Sequence, residues 1–251
     1  MRINMKVAAV LVALMAVCMS GFAAEPKGWQ FETAIYGWYA GLEGDMSVRN
    51  HTADFEKSAS DLLDALEIGG SLFGVAQYDR FLVMGQVDYF SMSTDKLSAD
   101  DQPRGGSLDA KELLSQVGIG YQFDGWAEGQ RFDMLIGIKT LGMENDLEVF
   151  AGGTHSKDIC TADPVLIIRP VMPVMPSVIK GLNFSMIASI GGGVDADLVY
   201  ELFPELQYMF TDSVSGRLGY RVVGYEYDGD GRDNELDIRQ SGPIAGVGVI
   251  F

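Results

Sequence analysis

The chain has 251 residues, with 35 acidic against 18 basic, a formal net charge of −17, and 31 glycines. That length suits one β-barrel domain without a second core. The acidic balance argues against nucleic acid or an anionic membrane surface as partner, while permitting divalent cations and cation-bridged lipopolysaccharide.

The first 23 residues read as a secretory signal peptide. Arg2 and Lys6 are its positive region and Val7 to Met19 its apolar stretch, with cleavage expected after Ala23 or Ala24. Cys18 suggests a lipoprotein, but Val17 before it is too bulky for a typical lipobox. The mature domain, 24–251, keeps 16 basic and 35 acidic residues, a charge of −19, and the single cysteine Cys160, so no intramolecular disulfide is available. Its longest apolar run, Val165 to Ile179, contains Arg169, Pro170, Pro173 and Pro176 and cannot be a spanning helix. An exported chain without a stop-transfer helix is periplasmic, secreted, or an outer-membrane barrel.

Ten strands follow in order, each with period-2 alternation. Trp29 to Tyr39 carries aromatics at both ends, as a membrane-interface girdle requires. Residues 41–66 read as a polar connection in which Ser58 to Leu66 could form a short amphipathic helix. Strands are then expected at 68–78, 81–91, 113–123 and 132–141, with a tight turn at 79–80 and short turn at 124–130. The segments 92–109 and 144–163 read as long polar loops. Pro164 to Met172 is a strand running into the proline-rich turn 173–181, with Pro170 near its end because proline cannot donate to a ladder. The last strands are 182–193, 199–210, 214–227 and 236–251, separated by a short 194–198 link, a tight 211–213 turn and an acidic 228–235 loop.

The final ten residues are the clearest signal. Pro243, Ala245, Val247 and Val249 make a wholly apolar face, and the length is about one tilted transmembrane strand, roughly 9–11 residues. A closed barrel in lipid covers such a strand by pairing it with the first one. Polar residues of several strands share one face while aromatics and aliphatics share the other, opposite to a lipocalin-like barrel. The fold expected is therefore an all-β, transmembrane, antiparallel up-and-down barrel of about ten strands. Short turns alternating with longer loops place it in the cell outer membrane with both termini in the periplasm.

These motifs resemble those of small Gram-negative outer-membrane barrels, OmpW/OmpA-like in build and mostly of unassigned function. The matching elements include Tyr36-Gly-Trp38, Gly41 to Gly44, Ser60 to Leu63, Asp88-Tyr89, Phe132 to Lys139, Asp163-Pro164, Gly191 to Gly193 and the tail from Gly219 to Phe251. They cover most of the mature chain. The resemblance implies that terminal Phe251 is the signal read by the barrel-assembly machinery, with periplasmic chaperones, outer-membrane lipid and lipopolysaccharide as the other partners. It brings no catalytic residues and no cofactor.

Alternation points Asp88, Asp133, Lys139, Arg169, Glu201, Glu205 and Arg221 inward. A Lys or Arg facing lipid at mid-depth would cost roughly 2–4 kcal/mol. These seven are expected either to fill the lumen as an ion-pair network or to form a charged constriction in a narrow porin-like channel for small solutes. The first gives a non-enzymatic barrel with a structural or surface-interaction role through its acidic loops. Asp228 to Glu235 resembles a calcium loop but fails the EF-hand pattern, with Arg232 where an oxygen ligand belongs. A surface hydrolase would need His51 or His155, the only histidines, at the rim. Cys160 in a polar loop reads as a bystander thiol.

Overall fold

The computed structural model describes residues 28–48, 51–57, 60, 66–94, 106–149, 153–228 and 234–251. The signal-peptide expectation lies outside them, as do most of the helix expected over 58–66 and the tip of the loop at 228–235. Among the described residues twelve strands occur: β1 Trp29–Trp38, β2 Gly41–Val48, β3 His51–Lys57, β4 Leu66–Tyr78, β5 Phe81–Thr94, β6 Gly106–Asp124, β7 Arg131–Val149, β8 Gly153–Pro173, β9 Leu182–Gly191, β10 Leu198–Met209, β11 Val214–Asp228 and β12 Asn234–Ile250.

They build ten staves. β1 pairs with β12 from Glu32↔Ile250 to Trp38↔Ile244, and β2 continues along the same neighbour from Ser241↔Gly41 to Asn234↔Val48. β1 and β2 are thus two halves of one stave, broken at Tyr39 and Ala40. β3 pairs with β2. The other strands follow in sequence order, all antiparallel, and the β1–β12 ladder closes the barrel. At the seam Phe31 and Phe251 exchange both backbone hydrogen bonds, at 2.8 and 2.9 Å, and their rings stack with centroids 5.6 Å apart. Closure pairs β1 on both sides, with β4 and β12, as a chain surrounded by lipid requires, while β3 pairs with β2 alone.

Two expectations need correction. Residues 41–57 are not a polar connection but the strands β2 and β3. Much of the segments read as loops at 92–109 and 144–163 is extension of β5 to β8, with β7 pairing β8 out to Val149↔Gly153. The alternation carries on there, with Met143, Leu147 and Val149 on one parity and Glu144, Asp146 and Glu148 on the other, and the backbone ladder carries on with it.

Pro170 also lies deeper than expected, inside β8. The β8–β9 ladder is interrupted there, between Ile168↔Ala188 and Val171↔Ser185. Pro204 similarly sits inside β10, where the β10–β11 ladder skips from Leu202↔Val222 to Glu205↔Gly219. In both places the chain pairs normally on its other side, through Phe132↔Pro170 and Pro204↔Met186. A missing N–H removes a hydrogen bond from one neighbour only, so a proline is tolerated where the second ladder holds.

The turns after β4, β6, β8 and β10 lie at the same end as Gly28 and Phe251. At the opposite end β9 stops at Gly191 and β10 begins at Leu198, and a single carboxylate holds the link between them. Asp163, fully buried, accepts hydrogen bonds from the backbone N–H groups of Val194, Asp195 and Ala196 at 2.9–3.1 Å. Asp195 Oδ2 in turn accepts one from the backbone N–H of Ala162 at 2.8 Å. Gly192 and Gly193 supply the positive φ values, 129° and 89°, that fold the link back over β8.

Candidate functional site

The outer surface decides what surrounds the barrel. Ile35, Ile119, Ile136, Ile190, Leu218 and Val247 are each more than half exposed, on alternate positions that all point outward. Aromatics edge this aliphatic band: Trp29, Phe81, Phe123, Tyr208 and Phe210 toward the turns, and Tyr39, Tyr220 and Tyr227 toward the loops, all exposed. On β10 the two edges are marked by Phe210, just past the strand end, and Tyr200. Ten residues at about 3.3 Å each, tilted by about 40°, give a band about 25 Å tall, the height of a lipid belt. The fold is a transmembrane β-barrel.

Inside, the barrel is layered. Toward the turns, Glu32 of β1 gathers three arginines. Arg169 of β8 bonds its Oε2, Arg217 of β11 lies 3.0 Å from its Oε1, and Arg131 of β7 is 3.5 Å from its Oε2. Arg169 also faces Asp133 at 3.7 Å, and Arg217 faces Glu205 at 3.6 Å. The Tyr36 hydroxyl joins these groups, donating to Glu205 at 2.9 Å and accepting from Arg217 at 3.1 Å. Arg217 fits because Gly248 and Gly246 stand opposite. A Cβ at Gly248 would lie 2.7 Å from the guanidinium carbon, and one at Gly246 would enter the Tyr36 ring.

Above this layer the inward residues are apolar: Phe73, Met84, Leu135, Ile167, Ile187, Phe203 and Ile244, all buried. Phe203 meets Tyr36 edge-on at 5.6 Å. A second charged layer follows. Arg221 donates to Asp88 at 2.7 Å and to Glu201 at 2.8 Å, and Lys139 donates to the other oxygen of Glu201. The Arg221 guanidinium rests on the Trp38 ring, 4.6 Å from its centre. Nearer the loops, Gln240 donates to both oxygens of Glu112, at 2.8 and 2.6 Å.

The seven residues singled out by alternation divide between the layers. Asp88, Lys139, Glu201 and Arg221 form the upper one; Asp133, Arg169 and Glu205 belong to the lower. All seven are at most 5% exposed. Glu32, Arg131 and Arg217, outside the seven, complete the lower network, and Glu112 stands apart from both, held by Gln240. Glu32 lies on the inward parity of its strand, the signal by which the sequence marks it. Glu112 fell beside a segment read as loop. The lower layer sets Glu32, Asp133 and Glu205 against Arg131, Arg169 and Arg217; the upper sets Asp88 and Glu201 against Arg221 and Lys139. Acids and bases balance in each, which is how charges are kept in a water-poor interior.

Cys160 is exposed on β8, and the backbones of His51 and His155 lie in β3 and β8. Among the described residues no group of three or more His, Cys, Asp or Glu is placed to hold a metal.

No family model matches the chain, and no curated protein matches it. Among solved structures, the translocator domain of the autotransporter NalP from Neisseria meningitidis is 11% identical, covering 96% of this chain and 95% of its own, with a TM-score of 0.47. The attachment invasion locus protein Ail of Yersinia pestis is 10% identical, covering 89% and 99%, with a TM-score of 0.38. The toluene transporter TodX of Pseudomonas putida is 10% identical, covering 90% and 89%, with a TM-score of 0.31. Likeness at this level says nothing of what the barrel here binds or moves.

Proposed function

We propose that the chain is a non-conducting, non-enzymatic outer-membrane barrel whose role is structural or in surface interaction. The observation that carries this is the filled lumen. Two charge-balanced layers with an apolar layer between them leave no inward charged residue of either network exposed except Arg131, at the turn end. An ion crossing would have to break buried pairs and then pass Phe73, Ile167 and Phe203 without a polar partner. Ten strands are close to the eight whose interior side chains alone fill, and far below the sixteen or more that leave an aqueous channel.

The reading places the short turns, Gly28 and Phe251 in the periplasm and the extended β5–β8 hairpins outside, with lipopolysaccharide and lipid around the belt. Phe251 then serves as the signal for the assembly machinery, delivered by periplasmic chaperones. The hairpins reach beyond the loop-side aromatics and are the elements available for surface contact.

The test is single-channel conductance of the refolded barrel in a planar bilayer, with folding checked by heat-modifiable gel mobility. A silent bilayer with folded protein is expected. Discrete, reproducible steps would overturn the reading in favour of a narrow solute channel lined by Lys139 and Arg221.

A further inference from the structure

One buried carboxylate lies outside the two balanced layers. Asp88 and Glu201 are matched by Arg221 and Lys139, and Glu112, just above them, is left over. Glu112 is 3% exposed, and its bonding partner among the described residues is Gln240. The Nε2 of Gln240 donates to both carboxylate oxygens, at 2.8 and 2.6 Å. Two accepted bonds are how an ionised carboxylate is held, since a carboxylic acid has to donate from one oxygen. An ionised carboxylate in a water-poor interior needs a counter-charge.

The strand register brings unused oxygens to the same place. Asp88 on β5 is the partner of Ser71 on β4 and of Leu114 on β6, and Glu112 is two residues from Leu114. Ser71, Asp88 and Glu112 all face inward and are buried. On one face of a sheet, directly opposite residues have Cβ atoms about 5 Å apart and diagonal ones about 7 Å. Asp88 is near enough for its charge to act on Glu112. Its Oδ1 takes Arg221, while its Oδ2 and the Ser71 Oγ have no hydrogen-bond partner. The Glu112 oxygens keep lone pairs beyond those that Gln240 uses.

We propose that Ser71 Oγ, Asp88 Oδ2 and the Glu112 carboxylate form a site for one alkali-metal cation. Oxygen donors suit a hard ion. One positive charge is missing, so a monovalent ion restores the balance and a divalent one overshoots it. Two carboxylates, one of them shared with Arg221, are also few for tight calcium binding. Glu112 and Gln240 lie on the loop side of Arg221, so the ion arrives without passing the apolar layer. The site asks nothing of conduction and goes beyond the role proposed above.

The barrel refolded in phosphatidylcholine vesicles would be unfolded in urea over a series of sodium chloride concentrations. Tetramethylammonium chloride would replace the sodium salt to hold ionic strength constant. The unfolding equilibrium constant should be about tenfold lower at about 0.3 M sodium than without it, as an affinity of about 30 mM gives. Glu112→Gln removes the leftover charge and keeps the side chain's shape, and it should abolish the sodium dependence with heat-modifiable mobility unchanged. Ser71→Ala alters no charge and should keep the dependence while moving it to about threefold to tenfold higher sodium. Equal stability in the two salts would overturn the proposal. A sodium dependence that both substitutions leave unchanged would overturn it as well. So would a response to calcium or magnesium without one to sodium.

Discussion

Replacing Arg221 by Met tests whether the upper layer is a true charge network. Arg221 is fully buried, bonds Asp88 and Glu201, and covers Trp38. Methionine leaves Glu201 with Lys139 but strands Asp88, whose ion-pair partner among the described residues is Arg221. Breaking one partner of a buried pair costs about 3–5 kcal/mol, most of it the charge left behind. Adding Asp88→Asn removes that charge, leaves the Lys139–Glu201 pair balanced, and should bring the loss below about 2 kcal/mol. The double variant would therefore be more stable than the Arg221→Met single variant. The assay is urea unfolding of the barrel refolded in vesicles, followed by far-ultraviolet circular dichroism and by tryptophan emission, with the slope m checked for constancy. A loss under about 1 kcal/mol for Arg221→Met, or strictly additive effects of the two changes, would refute the network.

Gly248→Val should destabilise the barrel by about 1–3 kcal/mol, because its Cβ meets the Arg217 guanidinium. Gly37→Ala, where nothing lies within 4 Å of the added atom, should stay within about 0.5 kcal/mol in the same unfolding assay. Asp163→Ala strips the acceptor from the N–H groups of Val194, Asp195 and Ala196. Hydrogen exchange at those amides should accelerate by about tenfold to a hundredfold while the β6 and β7 amides stay protected. Removing residues 146–156 and joining Asn145 to Lys157, which are register partners, should leave heat-modifiable mobility unchanged. Loss of the folded band would mean that the hairpin tip is needed for assembly.

The exterior and the stave count were legible in the sequence because the barrel imposes one rule everywhere: outward residues meet lipid, inward ones do not. Phe81, Val83 and Val117, Ile119 announce that rule without reference to any other strand. Which inward residues meet was not legible. Arg169 and Glu32 are 137 positions apart, and Arg221 and Asp88 are 133 apart. Parity gives the side of the wall and says nothing of the height or of the partner across the lumen. Arg217 could have been found by the same parity that gave Arg221, four residues later on the same strand. β2 and β3 escaped for a different reason. The stretch does alternate, with Leu42, Met46 and Val48 against Glu43, Asp45 and Ser47, but its glycines and acids give it the composition of a polar connection, which hides that period.

The cross-lumen pairs also bear on closure. Neighbouring strands late in the chain are held by long ladders; β6 and β7 stay in register from Gly106↔Val149 to Asp124↔Arg131. The seam between β1 and β12 runs only from Glu32↔Ile250 to Trp38↔Ile244 before the break at Tyr39. Past that break β2 carries the pairing on along β12, from Gly41 to Val48. Glu32 opens that ladder, and its carboxylate is tied to arginines on β7, β8 and β11. Tyr36, four residues on, reaches Glu205 on β10 and Arg217 on β11. Two residues of β1 therefore engage four other strands across the lumen. The lower layer acts as a set of struts that ties β1 to the wall from inside, beside its hydrogen-bond ladders. Lumen filling and seam closure then share side chains: the lower-layer charges that occupy the interior also tie the first strand to β7, β8, β10 and β11.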